Sequence, residues 1–256
     1  MCSWLTRATT NRYGLSVSKQ RWPWLVTAGL MLAAAAATGR STYLYWLPCR
    51  GSMLRGIIQG YGHGKFSDEC SGQMDGDSSS VMPWTSDLNL VAMALLGVAW
   101  LTLVLGLRWQ LRTKAVAVLP GVAAVAVALL GAAATDRYEM SPLLMGLALI
   151  MELLAVVALL WIVAWQPEVR GRQILRLVIV LWGTTAFGVV HVYIEHVIMI
   201  GFRFSTWNPP PGFGYLIFAT ITISAILTVI TTLRTPQKSA DDEPGHEDYS
   251  GSLTLA

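Results

Sequence analysis

Residues 142–165 read PLLMGLALIMELLAVVALLWIVAW, an apolar run of 24 residues in which Glu152 is the single charged side chain. A helix rises about 1.5 Å per residue, so a run of this length reaches across a hydrocarbon core of about 30 Å. The run is continuously apolar, whereas a strand of a membrane barrel would alternate. This stretch therefore predicts a membrane-spanning helix, and its carboxylate needs a partner inside the bilayer.

Five more apolar blocks of similar length surround this one. The chain of 256 residues is 54% hydrophobic and only 13% charged, where a soluble domain is about a quarter charged. A soluble chain of this size could not hide so many blocks from water. We predict an all-α, polytopic integral membrane protein, a six-transmembrane-helix bundle with one long extracytoplasmic loop. The predicted spans are residues 22–39, 88–107, 115–134, 142–165, 177–200 and 212–233, and the predicted loop is residues 40–87.

Basic residues predict the orientation of the bundle. Twelve of the 18 Lys and Arg residues fall in the N-terminal segment, the second and fourth connections and the C-terminal tail. Positive charge stays on the cytoplasmic side, so residues 1–21 and 236–256 are predicted to be cytoplasmic in a cell (plasma) membrane, and the acidic tail is predicted to be disordered. For the first block a cleaved signal peptide is the alternative to a retained helix.

The long outer loop contains two cysteines, Cys49 and Cys70. Exported segments fold in oxidising surroundings, where paired cysteines form disulfides. We therefore predict a Cys49–Cys70 disulfide, while Cys2 lies on the cytoplasmic side. The loop is also the segment predicted to contact other membrane or extracytoplasmic proteins.

Four ionisable residues lie deep in the predicted spans: Glu152, His191, Glu195 and His196. Glu152 follows Pro142 by ten residues and His191 precedes Gly201 by ten, so both are expected about 15 Å from the outer surface. Because the two helices are joined by a short connection, Glu152 and His191 are expected to meet. His191 and Glu195 are four residues apart and share a helix face. Hydroxyl side chains predicted to support the group are Thr184, Thr220 and Ser224.

Small residues recur every four positions in the first block, at Gly29, Ala33 and Ala37, and flank Glu152 at Ala148 and Ala155. Such residues let helix backbones approach one another in membranes. Both stripes are therefore predicted to face neighbouring helices.

Three classes of function follow from these features. The preferred interpretation is a non-catalytic accessory or scaffold subunit, with a small transporter or proton-relay protein as the alternative and a membrane metalloenzyme or haem protein as a second alternative. The Glu/His group could accordingly be a structural polar contact, a proton relay or a metal ligand set. No phosphate-binding, dinucleotide-binding or nucleophile motif is present, and the basic residues form no patch for nucleic acid.

Overall fold

The computed structural model describes residues 7–49, 86–135, 140–166, 169, 171–201 and 212–234. This part of the chain is 87% helix and contains no strand. Most of the predicted outer loop, including Cys70, lies outside the described residues, as do Cys2 and the acidic tail.

The described residues form a bundle of membrane-spanning helices. Five helical segments are long and apolar enough to cross a bilayer, and a bent pair of shorter helices raises the number to six. The predicted all-α polytopic membrane fold is therefore confirmed. The helices are α1 (Arg7–Tyr45), α2 (Asp87–Gly106), α3 (Leu111–Ala117), α4 (Leu119–Ala133), α5 (Ser141–Trp165), α6 (Arg172–Thr184), α7 (Val189–Gly201) and α8 (Tyr215–Leu233), with a short 3-10 helix, Leu47–Cys49, after α1.

The third predicted span is divided into α3 and α4 around Val118. Pro120 follows the division, and its ring nitrogen has no hydrogen to donate to a helical carbonyl. One residue beyond the Val116 carbonyl that Pro120 would otherwise contact, the Ala117 carbonyl accepts the indole N–H of Trp100 at 2.6 Å. A side chain of α2 thus satisfies a backbone group at the break.

The fifth predicted span, residues 177–200, is not the continuous helix expected. It divides into α6 and α7, which meet at an angle of 76° across a break of a few residues. Before the break, the Thr184 and Thr185 hydroxyls donate to the Val180 and Leu181 carbonyls at 2.9 and 2.8 Å. The prediction of one continuous helix over residues 177–200 is therefore wrong. The depth of residues in α7 cannot be counted along a straight helix.

Helices α1 and α2 form the centre of the bundle. The Thr27 hydroxyl of α1 donates to the Ala99 carbonyl of α2 across their interface at 3.1 Å, and each helix has a fully buried large side chain, Met31 and Leu96. On its other side α2 meets α4 at two glycines, where a Cβ added to Gly97 would lie 2.8 Å from the Gly121 carbonyl oxygen. Close backbone approach therefore builds the core here, as is typical of membrane helices.

Two of the three residues in the small-residue stripe predicted to pack in α1 face away from the core, while the third, Ala37, is partly buried against it. Gly29 and Ala33 are exposed, and a Cβ on Gly29 would meet nothing within 4 Å. Helix α1 instead packs through the neighbouring face, which carries the fully buried Met31. The second stripe is buried as predicted, at Ala148 and Ala155.

The base of the outer loop is fixed to the bundle at both ends. The Ser41 and Ser86 hydroxyls are hydrogen-bonded at 2.7 Å, and the Trp46 indole N–H donates to the Phe213 carbonyl at 2.9 Å. Cys49, at the end of the 3-10 helix, is fully buried. Because Cys70 lies outside the described residues, the predicted disulfide stays a prediction.

A Gly97→Ala substitution tests the α2–α4 contact. The new methyl would crowd the Gly121 carbonyl and the Val125 side chain, each at 2.8 Å. Overpacking of this kind costs about 1–3 kcal/mol, so we expect the melting temperature in detergent to fall by about 3–6 °C. Gly29→Ala, the same change in open space, should cause no fall. Equal melting temperatures for the two variants would contradict the packing described.

Candidate intramembrane polar site

The break in the fifth span starts a new helix inside the bilayer. Helix α6 is 13 residues long, which corresponds to about 20 Å. The chain then turns into α7. The first backbone N–H groups of any helix have no partner within that helix. In hydrocarbon no water is present to accept them, so another part of the protein must do so.

Glu152 of α5 supplies the acceptor for α7. The Val190 N–H donates to both carboxylate oxygens, at 3.2 Å to Oε1 and 3.0 Å to Oε2. Val192 N–H donates to the Gly188 carbonyl at 3.1 Å, which makes Gly188 the N-cap residue of α7. A serine or aspartate at an N-cap normally accepts the second or third amide of its helix. Here the N-cap has no side chain, and a carboxylate from another helix takes that role.

Glycine at position 188 makes this approach possible. A Cβ added to Gly188 would overlap the carboxylate of Glu152. The contact is also favourable electrostatically, because the N-terminal end of a helix carries partial positive charge. The Glu152 carboxylate is thus stabilised by a backbone hydrogen bond and by the helix dipole at the same position.

His191 contacts the same carboxylate. Its Nδ1 lies 3.4 Å from Glu152 Oε1, so the meeting of these two residues expected from the sequence is present. The His191 side chain is buried, with 8% of its surface exposed. Its ring centroid lies 4.2 Å from that of Trp182. Among the described residues, its second nitrogen, Nε2, has no hydrogen-bond partner.

Glu195 makes a second contact of the same kind one helix further on. Its Oε1 accepts the N–H groups of Gly214 and Leu216, both at 2.8 Å. Gly214 is the N-cap of α8 and has a φ of 101°, a conformation that favours glycine. The Glu195 side chain is fully buried, and its Oε2 has no hydrogen-bond partner in the described part of the chain.

Two joints of the bundle are therefore built alike. In each, a glycine N-cap without a side chain opens a helix, and a glutamate from a different helix accepts backbone amides at its start: Val190 N–H at α7, and Gly214 and Leu216 N–H at α8. Both glutamates were predictable from the sequence as members of a polar site, whereas the role of Gly188 and Gly214, which let the carboxylates approach, was not. Gly188 directly precedes the apolar run of α7, and Gly214 directly precedes that of α8. A buried glutamate together with a glycine at the start of a later apolar run is the sequence signal that could have predicted each cap.

The other predicted site residues lie apart from this group. His196 is partly buried, and its ring makes an edge contact with Phe213 at 6.4 Å between centroids. Thr184 donates to its own helix. Ser224 packs against Gly183, and Thr220 is half-buried. The structure therefore brings together Glu152 and His191, and places Glu195 on the next joint.

Comparisons with protein-family models, curated proteins and solved structures gave no match. The described residues also contain no group of three or more His, Cys, Asp or Glu side chains placed to hold a metal ion. What the described group offers chemically is two carboxylates and one imidazole; the imidazole and the Glu195 carboxylate each have one atom engaged, and both oxygens of Glu152 are engaged. Such groups bind and transfer protons.

A Gly188→Ala substitution tests the first joint. The added methyl would displace the Glu152 carboxylate and leave the amides of α7 without an acceptor, so we expect a loss of about 1–3 kcal/mol, seen as a lower melting temperature in detergent. Gly146→Ala in α5, where a Cβ meets nothing within 4 Å, is the matched control and should be neutral.

A second substitution separates the joint from general crowding. Glu152→Asp shortens the side chain by one methylene, so in the double variant Gly188→Ala/Glu152→Asp the carboxylate has room beside the new methyl. We expect the double variant to be more stable than Gly188→Ala alone. Strictly additive losses would show that Gly188 and Glu152 do not act together.

Proposed function

We propose that this chain is a proton-relay membrane protein in which Glu152, His191 and Glu195 hold and pass the proton. The observation that supports the proposal is the pair of unpartnered atoms on α7. His191 Nε2 and Glu195 Oε2 are buried and lack hydrogen bonds among the described residues, while the opposite atom of each side chain is engaged. The two residues are four apart and lie on one face of the helix.

A purely structural role leaves these two atoms unexplained. A buried polar atom without a partner costs about 1–3 kcal/mol, and more where no water can reach it. A helix cap needs only Glu195 Oε1 and the Glu152 carboxylate, so it gives no reason for an imidazole beside them. A proton shared between the residues, or a water that carries it, satisfies both atoms.

The imidazole can act as a two-ended carrier. When Nδ1–H points to Glu152, Nε2 carries the free electron pair and accepts a proton from the direction of Glu195. The resulting imidazolium releases the Nδ1 proton to the Glu152 carboxylate, so one proton enters the ring and one leaves it. Glu195 receives and gives its proton on Oε2, because Oε1 is held by two backbone amides.

The proposed orientation gives the order in which the relay residues lie across the bilayer. Basic residues favour cytoplasmic termini in the plasma membrane. Glu195 contacts the start of α8, near the Trp46–Phe213 contact at the base of the outer loop. In this orientation Glu195 is the outer member of the group, and Glu152 and His191 lie deeper in the bilayer.

Proton uptake by proteoliposomes tests the relay. With a pH-sensitive dye inside the vesicles and a potassium diffusion potential across them, the wild type should acidify or alkalinise the interior faster than empty vesicles. His191→Phe keeps a ring of similar size but removes both nitrogens. Glu195→Gln keeps an acceptor for Gly214 and Leu216 but cannot pass a proton. We expect each variant to lower the flux at least about tenfold.

His196→Phe is the matched control, because this histidine lies outside the group and should retain the wild-type flux. Each variant is compared at an equal amount of protein that elutes as the wild type does and melts cooperatively. Wild-type flux in both His191→Phe and Glu195→Gln, or no flux above empty vesicles in the wild type, would overturn the relay.

A specific observation also favours the accessory or scaffold function. The described residues that flank the predicted outer loop are held by the Ser41–Ser86 and Trp46–Phe213 hydrogen bonds. A segment with anchored ends loses less freedom when it binds a partner. We propose that a Cys49–Cys70 disulfide closes this segment further, which would make it a preformed surface for another protein.

Thiol labelling tests the closed segment. With a maleimide that adds mass, denatured wild-type protein should gain one label before reduction, on Cys2, and three after it. Cys49→Ser should leave Cys70 reactive without reduction. Three labels on unreduced wild-type protein would show that the two loop cysteines are not paired.

A further inference from the structure

Three arginines from two helices converge at one end of the bundle. Arg176 lies one turn inside α6, where its guanidinium donates to the Thr231 carbonyl of α8. Its Cζ lies 5.9 Å from the centroid of the Trp24 ring of α1. Arg172 lies one turn before Arg176 on α6, and Arg21 lies three residues before Trp24 on α1, so each is on the same helix face as a member of this contact. We call Arg21, Arg172, Arg176 and Trp24 the arginine–tryptophan cluster.

The cluster lies at the level expected for lipid headgroups. Arg21 directly precedes the apolar run that begins at Trp22 within α1, and Arg172 is the first residue of α6. Residues that open an apolar span lie where hydrocarbon gives way to the polar interface. The nearby Trp22 is 67% exposed, as is typical of the aromatic belt at this depth.

The cluster concentrates charge of one sign. The acidic side chains in the described ranges are Asp87, Glu152 and Glu195, at the outer end or in the polar site. Arg172 and Arg176 are four residues apart, so like charges face one another on one side of α6. Three guanidiniums brought together in this way are stabilised by an anion, and the planar guanidinium matches the geometry of phosphate.

From this arrangement we infer that the arginine–tryptophan cluster binds the phosphate of an anionic lipid headgroup in the membrane leaflet at this end of the bundle. Arg21 and Arg172 contact the phosphate oxygens from two sides. Arg176, held by Thr231 and covered by Trp24, supplies charge from below. The ligand class is a phosphate ester with net negative charge, and a bound lipid would join α1 to α6 across their shared end. This inference does not depend on the proton relay.

Thermal stability in defined bilayers tests the inference. The full chain is placed in nanodiscs of dioleoyl phosphatidylcholine with or without dioleoyl phosphatidylglycerol. We expect the anionic lipid to raise the melting temperature of the wild type by about 5 °C. Arg21→Gln/Arg172→Gln should lose most of that increase, since Arg176 and its contact with Thr231 are left in place.

The matched control removes the same charge from elsewhere on the cytoplasmic side predicted from the sequence. Arg108, between α2 and α3, and Arg112, in the first turn of α3, are both exposed, and Arg108→Gln/Arg112→Gln should keep the increase. Native mass spectrometry gives a second readout: wild-type protein should retain a phosphatidylglycerol that the Arg21/Arg172 variant loses. Equal responses of the two variants, or no response of the wild type to the anionic lipid, would overturn the site.

A further arm distinguishes a lipid from a soluble anion. Inorganic phosphate is added to the protein in phosphatidylcholine nanodiscs. A response to phosphatidylglycerol with none to phosphate assigns the site to a lipid. An equal response to phosphate alone would contradict the lipid assignment and would identify the cluster as a site for a soluble phosphate.

Discussion

A helix that begins inside a lipid bilayer must find acceptors for its first amides within the protein, and this constraint shapes the structure. Water would accept such amides at a protein surface, but hydrocarbon cannot. In this chain Glu152 provides the acceptor for α7, and Glu195 provides a similar acceptor for α8, a candidate span of its own that starts near the base of the predicted outer loop. A carboxylate and an unpaired helix N-terminus are each unfavourable in the membrane. Contact between them reduces both free-energy costs.

The proposed relay makes use of the same contacts. A carboxylate is a stronger acceptor than a protonated carboxyl group, because charge-assisted hydrogen bonds are about twice as strong as neutral ones. In the relay, a proton arriving on Glu152 therefore weakens its hold on the start of α7 without removing it. Proton binding and the angle between α6 and α7 would in this way be linked. Glu195 is arranged similarly at the start of α8, with Oε2 left for the proton.

Much of the fold was predictable from the sequence, because long apolar runs have few structures open to them in lipid. The spans around Glu152 and in α2 agree with their predicted ends within a residue or two. The break at Thr185–Gly188 was not predicted, since a run of apolar residues reads as one helix whether or not a tertiary contact interrupts it.

The meeting of Glu152 with His191 was predictable from chain connectivity. That both glutamates cap helices was not, because it depends on glycines distant in sequence. The packing face of α1 was mistaken because Gly29 marks a small residue but not what lies opposite it.

The most direct test of the central claim is the distance between the Glu152 carboxyl carbon and the Val190 amide nitrogen. Solid-state nuclear magnetic resonance can measure it in lipid bilayers, with the two atoms isotopically labelled in the full-length protein. A strong dipolar coupling, as expected for a carboxylate oxygen 3.0 Å from the amide nitrogen, is the result we predict. No detectable coupling, in protein whose helices are otherwise formed, would show that Glu152 does not cap α7 and would contradict the account.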